Sequence, residues 1–299
     1  MTSPSASSDD FGALRLSPSS LSNLAQLGYA RMTPIQAASL PLTLAGHDLI
    51  AQASTGSGKT AAFGLPLVER LQSAGLPGAA VQAVVLCPTR ELADQVTQEI
   101  RRLARSRPNV KVVTLCGGVA LRGQVQSLEH GADIVVGTPG RILDHLERGS
   151  LSLAGVNTLV LDEADRMLDM GFFDDIAKVV RQCAKDRQTL LFSATYPEGI
   201  AKLAAQFMRA PQTVKVEALH SAHKIRQIFV EVGETERLHA VSQLLAHFRP
   251  ERTLAFCNTK QQCRDLVEVL QAQGYVALAL YGELEQRERD QVLVQFANR

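Results

Sequence analysis

DLIAQASTGSGKT, residues 48–60, is the stretch on which the fold turns. Its first half is a short apolar run of strand character, and its second half sets small residues ahead of Lys59 and Thr60, where an amphipathic segment begins. Small side chains at Ser54, Thr55, Gly56, Ser57 and Gly58 let successive backbone N–H groups turn inward around a phosphate. From that loop Lys59 reaches the β and γ phosphates, and the Thr60 hydroxyl can ligate Mg2+. Strand, phosphate-cradling loop and helix, in that order, predict a P-loop nucleotide site in an α/β protein. Ala53 opens the motif where the pattern usually has Gly, a variation that the loop geometry tolerates.

Outward from this loop, apolar runs recur at 81–88 (VQAVVLCP), 110–118 (VKVVTLCGG), 132–139 (ADIVVGTP), 157–165 (NTLVLDEAD) and 188–195 (QTLLFSAT). Each ends in Gly, Pro, Ser, Thr or Asp, and longer amphipathic segments separate them. That alternation predicts parallel strands joined by crossover helices, with polar residues gathered at the carboxyl ends where open α/β sheets bind ligands. After Ala210-Pro211 the period restarts with IRQIFVEVG (225–233) and a helix whose Leu238, Val241, Leu244, Leu245 and Phe248 share one face. TLAFCN (253–258), a helix from about Gln261, YVALALYG (275–282) and a helix from about Gln286 to Phe296 follow.

Composition bounds the function. The 45% apolar and 20% charged content of these 299 residues describes a folded protein that buries a core. With 31 basic against 30 acidic residues the net charge is +1, which excludes gripping a polyanion by bulk charge; contact must come from local groups and backbone amides. No apolar run approaches the length of a membrane span, and no leader pattern opens the chain, so a cytoplasmic protein is expected. Cys87, Cys116, Cys183, Cys257 and Cys263 are odd in number, form no C-x-x-C pair and are expected as reduced core thiols.

A P-loop requires a carboxylate at the end of a neighbouring strand to hold the metal, and a group beside it to orient water. Asp162-Glu163 supplies both: the apolar run from Thr158 to Leu161 delivers Asp162 toward Mg2+, and Glu163 can polarise the attacking water. Capping of a helix N-terminus is the structural alternative for Asp162 and Asp165. Ser193-Ala194-Thr195 ends a neighbouring strand, so its hydroxyls can bond to Asp162 or Asp165.

Asp162-Glu163-Ala164-Asp165 is also the signature after which the DEAD-box RNA helicases are named, and the chain resembles that family throughout. Residues 28–36, GYARMTPIQ, look like its Q motif with Phe11 as the upstream aromatic, although Met32 stands where Pro is usual. The resemblance implies ATP and Mg2+ as cofactors. Gln36 would then pair with the adenine edge, Phe11 stack on it and Arg31 join the ATP contacts, while Lys59, Asp162, Glu163, Ser193 and Thr195 form the catalytic set. Ser193-Ala194-Thr195 links hydrolysis to strand separation in the family. Pro88-Thr89-Arg90, Gly117-Gly118 and Thr138-Pro139-Gly140-Arg141 resemble motif Ia, the GG doublet and motif Ib. These imply contacts to the RNA sugar-phosphate backbone, with turns and local caps as the alternative for each motif by itself.

Residues 256–260 resemble motif IV, and 282–289 resemble the Q-x-x-R segment, with Gln286 and Arg289 as implied RNA contacts and Tyr281 where many relatives carry His. Gly171-Phe172 and 285–298 resemble the bacterial DbpA-type branch, which implies structured ribosomal RNA of the large subunit as partner; nothing in the sequence requires more than a monomer. The implied fold is a RecA-like P-loop NTPase domain, a parallel sheet flanked by helices, followed by an incomplete second RecA-like domain. The expected divisions are 1–10 as a flexible tail, 11–212 as the ATP-binding domain, 213–223 as a linker and 224–299 as the start of the second domain. The sequence stops before motifs V and VI, so the expectation is an ATP-dependent RNA helicase of which this chain alone binds ATP and hydrolyses it poorly. An ATP-gated RNA clamp that does not unwind, and a P-loop enzyme of another kind, are the alternatives.

Overall fold

A computed structural model describes residues 9–72, 80–216, 226–233 and 236–298. The chain divides into two compact units between residues 219 and 220.

The first unit is built on seven parallel strands: β1 (Leu49–Gln52), β2 (Ala83–Leu86), β3 (Val112–Leu115), β4 (Ile134–Gly137), β5 (Thr158–Leu161), β6 (Gln188–Ser193) and β7 (Gln212–Lys215), in the order β3-β4-β2-β5-β6-β1-β7. Helices α1 (Pro18–Gln26), α2 (Pro34–Leu44), α3 (Lys59–Arg70), α4 (Arg90–Leu103), α5 (Leu121–Glu129), α6 (Pro139–Glu147), α7 (Ala164–Asp169), α8 (Phe173–Gln182) and α9 (Glu198–Phe207) make the connections. Successive strand residues point to opposite faces. One core accordingly takes Ile50, Val84, Leu86, Leu159, Leu161 and Leu191, and the other takes Leu49, Ala51, Val85, Val160, Leu190 and Phe192. Strands covered on both faces read as unbroken apolar runs, and this is why the sequence shows them so clearly. In α4 the buried Ala93, Val96, Thr97, Ile100 and Leu103 fall at helical spacing, and the Thr89 hydroxyl caps its first turn by accepting from the Leu92 N–H at 3.3 Å.

Residues 213–215, expected in a linker, belong to strand β7 instead. QTVK is mostly exposed at the sheet edge and has no apolar run to reveal it. Asp48 fixes its entry: one carboxylate oxygen accepts from the Thr189 N–H at 2.8 Å and the other from the Arg209 N–H at 2.7 Å. The start of β1 is thereby tied to β6 and to the turn before β7.

The second unit contains α10 (Arg237–Phe248), α11 (Lys260–Ala272) and α12 (Gln286–Ala297). The strands expected at 225–233, 253–258 and 275–282 do not pair into a sheet among the described residues, and residue 225 lies outside them. Phe229 and Phe256 are 92% and 95% exposed. The first unit shows why such segments need not find one another. In its sheet β3 pairs with β4 and β5 with β6, but β1 pairs with β6 and β7, and β2 with β4 and β5, so a strand's neighbours often come from far along the chain. Cys87, Cys116 and Cys183 are buried as expected, and burial pushes the Cys116 thiol up to about 12 and that of Cys183 to about 11. Cys257 and Cys263 are only half-buried, which corrects their assignment to a core. No helix among the described residues is long and apolar enough to cross a membrane.

Candidate nucleotide site and the adjoining strand ends

Sheet order brings the chemistry together. The carboxyl ends of β5, β6 and β1 lie side by side, and they deliver Asp162, Ser193 and the loop before Lys59 to one edge. The loop closes on itself, with the Ser57 hydroxyl donating to the Ser54 carbonyl at 2.8 Å. Gly56 (φ +77°) and Gly58 (φ +92°) adopt left-handed backbone, and a Cβ on Gly58 would stand 2.6 Å from the Gln36 amide nitrogen. Any other residue at 58 is therefore both strained and obstructed. Lys59 is buried, and its ammonium donates to the Ala53 carbonyl at 3.2 Å. Gly58, Lys59, Thr60, Gln36, Asp162 and Glu163 share the wall of a cavity of about 650 Å³.

Burial pushes the Asp162 carboxyl up to about 6, against the pull of the Lys59 charge and with the added repulsion of Glu163. One Asp162 oxygen accepts from the Glu163 N–H at 3.0 Å. Glu163 itself sits at φ +49°, a left-handed conformation that costs a non-glycine residue ~1–2 kcal/mol and turns the chain from β5 into α7. Its carboxylate lies 3.5 Å from the Arg166 guanidinium. Of the two partners open to Ser193 and Thr195, the structure selects Asp165. Its carboxylate accepts from the Thr195 N–H at 2.9 Å and the Thr195 hydroxyl at 2.8 Å, while its own N–H donates to the Ser193 hydroxyl at 3.3 Å. Burial raises the Asp165 carboxyl, but these hydrogen bonds from Thr195 outweigh it and hold the group below its ordinary value.

Against the phosphate loop the Gln36 amide is already engaged, accepting from the Thr33 N–H at 2.9 Å and donating to the Gly58 carbonyl at 3.0 Å. It braces the phosphate loop. Phe11 and Arg31 do not line the cavity. Phe11 is buried with Leu24 and Met32 and edge-on to Tyr29 at 6.1 Å, surroundings that suit a phenyl ring; Arg31 is exposed beside Asp9 at 3.5 Å. Tyr29 and Glu99 line it instead, with the phenol donating to the Glu99 carboxylate. The Tyr29 signal was present in the sequence as the aromatic inside GYARMTPIQ, and Glu99 gave none.

The remaining motifs follow the carboxyl ends of β2, β3 and β4, which are neighbours in the sheet. Thr89 and Arg90 open α4, Gly117 and Gly118 follow β3, and Thr138 and Pro139 start α6 with Gly140 exposed beside them. Pro88 is buried beneath this edge. The two arginines turn inward. Arg141 donates to the Val119 carbonyl at 3.1 Å and the Gln124 side-chain oxygen at 3.0 Å, and Arg90 lies 3.7 Å from Asp94. Gln286 and Arg289 lie on α12 in the second unit, where Gln286 donates to Asp290 at 2.9 Å. A second hollow of about 510 Å³, bounded by Arg101, Lys111, Ser127 and His130, contains none of the loop or carboxylate groups that phosphate chemistry requires.

The residues fit a magnesium nucleotide. Loop amides stand behind glycines with no Cβ in the way, a buried ammonium faces the same cavity, and the Asp162 carboxylate, penalised by burial and by Glu163, would be relieved by a cation beside it.

The sequence model of the DEAD/DEAH box helicases matches residues 33–203, and that of the helicase conserved C-terminal domain matches 236–299. The ATP-dependent RNA helicase DbpA of Escherichia coli (strain K12) is 51% identical over 283 residues, 95% of this chain and 61% of that protein. The DEAD-box ATP-dependent RNA helicase CshA of Streptococcus pneumoniae is 42% identical over 289 residues, 96% of this chain and 54% of that protein. The chain thus spans less than two thirds of the length of either relative. Among solved structures, a DEAD box protein from Methanococcus jannaschii aligns with a TM-score of 0.66 at 41% identity, covering 97% of this chain and 77% of that one. Dbp5 of S. cerevisiae, solved bound to Gle1 and IP6, aligns at 0.75 and 29% identity over 98% of this chain and 73% of its own.

Proposed function

The chain belongs to the DEAD/DEAH box helicase family, and from that premise we propose that the protein couples binding and hydrolysis of ATP to local unwinding of RNA. The observation that carries this reading is the meeting of the glycine loop, Lys59, Asp162 and Glu163 in one cavity, next to a row of strand ends with exposed glycines and hydroxyls. Loop amides and Lys59 hold the phosphates, while Tyr29 and Gln36 stand at the base end. Thr60 and Asp162 would hold Mg2+, which would offset negative charge on the phosphates. Glu163 orients the attacking water and accepts its proton. Asp165 ties α7 to Ser193 and Thr195, so a change at the nucleotide is felt by β6. Thr89, Gly117, Gly118, Thr138 and Gly140 present N–H and O–H groups suited to phosphate oxygens and 2′-hydroxyls, which carry no base code. Gln286 and Arg289 would add RNA contacts from the second unit.

Displacement of a labelled strand from a short RNA duplex tests the proposal. In a chain extended through the rest of the second domain it should require ATP and Mg2+ and fall by about 10² or more in Glu163→Gln, with nucleotide affinity retained. Equal displacement without ATP, or full activity in Glu163→Gln, would overturn it. The named relatives are helicases, so unwinding is preferred to a clamp. The DbpA-type likeness supports a finer reading, large-subunit ribosomal RNA as substrate, and the protein is read as a cytoplasmic monomer. Stronger stimulation of ATP hydrolysis by that RNA than by unrelated structured RNA is the outcome expected.

A further inference from the structure

A buried polar cluster behind the Gly117-Gly118 loop takes no part in the chemistry above. Gln124 is 7% exposed and His145 fully buried. The Gln124 amide nitrogen donates to the Cys116 carbonyl at 2.8 Å, and its oxygen accepts from Arg141 at 3.0 Å while lying 2.9 Å from His145 Nε2. His145 Nδ1 lies 2.8 Å from the Ser150 hydroxyl. Elimination fixes the amide and the ring nitrogen that faces it. Arg141 offers only donors and the Cys116 carbonyl only accepts, so the amide has one usable direction, and the ring nitrogen facing its oxygen must carry hydrogen. Burial, then the Arg141 charge, holds the imidazole below its ordinary value, which keeps the ring neutral.

The same Arg141 nitrogen also donates to the Val119 carbonyl at 3.1 Å. Cys116 and Val119 bracket the glycine pair, so the cluster grips the loop on both sides. The glycines cannot grip it themselves: a Cβ on Gly117 would meet nothing within 4 Å, and Gly118 sits at φ +77°.

We propose that Gln124 and His145 are positioning residues for RNA: they hold Arg141 on the Val119 carbonyl and so fix the Gly117-Gly118 loop against the RNA backbone. This rests on the proposed RNA contact at these strand ends.

The test titrates a fluorescent single-stranded RNA into the full chain, with affinity for a fluorescent ATP analogue and the melting temperature measured alongside. Gln124→Leu should weaken RNA binding by about three- to tenfold, the worth of one or two hydrogen bonds, and leave nucleotide affinity within about twofold. Gln124→Glu, which still accepts from Arg141 and His145 but no longer donates to the Cys116 carbonyl, should restore part of the loss. In an Arg141→Ala background Gln124→Leu should add nothing, because residues acting through one another are not additive. If Gln124→Leu melts below the assay temperature, His145→Leu replaces it, with His145→Gln as the variant expected to restore binding. Unchanged RNA affinity in Gln124→Leu, or a loss fully additive with that of Arg141→Ala, overturns the positioning role and leaves the RNA reading intact. Absence of RNA binding by the unaltered chain overturns the RNA reading itself.

Discussion

Gly58 and Asp162 show how much of the site depends on single residues. Gly58 combines left-handed backbone with an approach to Gln36 that leaves no room for a methyl group. Gly58→Ala should therefore cost ~1–2 kcal/mol in stability and reduce nucleotide affinity more than tenfold, since the loop must shift to relieve the contact. Denaturant titration and fluorescent-nucleotide binding check the two parts. Asp162 titrates near 6 in the fold against an ordinary value of 3.8. For a carboxyl raised on folding, the favourable contribution is full below about 3.8 and disappears as pH rises through about 6. In metal-free protein Asp162→Asn should accordingly raise the melting temperature at pH 7 and lose that advantage below about pH 4. A constant difference across this range would show that the carboxylate is not penalised by burial.

At the scale of elements, the join between α7 and β6 is where hydrolysis and strand movement would meet. Asp165 accepts two hydrogen bonds from Thr195, one from its backbone and one from its hydroxyl. Thr195→Val keeps the shape and removes the hydroxyl donor to a charged acceptor, a change worth ~1.5–3 kcal/mol where the pair is shielded and less here, because Thr195 is exposed. The expected result is a loss of about 1 kcal/mol by denaturant midpoint, with a proportionally larger fall in RNA unwinding than in ATP affinity. Legibility in the sequence divides at this scale too. β1, β2, β4, β5 and β6 were readable because they are buried on both faces and end at polar loops, β3 because its VVTL stays mostly apolar although it is an edge strand with Val113 and Thr114 half-buried, and the glycine loop because its spacing answers to phosphate geometry. β7 was not, because an exposed edge strand of four residues carries no apolar signature. The inward turn of Arg141 was equally hidden: an arginine beside TPG reads as a cation for phosphate, and only the Val119 and Gln124 oxygens reveal its internal use. Likewise Phe11 read as a stacking ring, while packing with Leu24 and Met32 takes it out of the cavity wall.

For the whole molecule, the two units differ in what holds them together. All seven strands and all three apolar clusters lie in the first, and the second buries only Leu266, Leu270 and Ser242 among its described residues. The residues lining the nucleotide cavity run from Leu27 to Glu163, entirely within the first unit. Residues 1–219 should therefore fold without the remainder and bind nucleotide within about threefold of the 299-residue chain, a difference smaller than one ordinary hydrogen bond. Amide hydrogen exchange gives the complementary test. Opening free energies follow buried contacts and ladder hydrogen bonds, so β5 and β6 should exchange only on global unfolding, while 253–257 and 276–280, lacking ladder partners, should exchange near the rate of free chain. Strong protection in both latter segments would mean that their backbone groups pair in solution, and the second unit would then have a sheet of its own. Loss of nucleotide binding in residues 1–219 would mean instead that the cavity depends on the second unit for its shape.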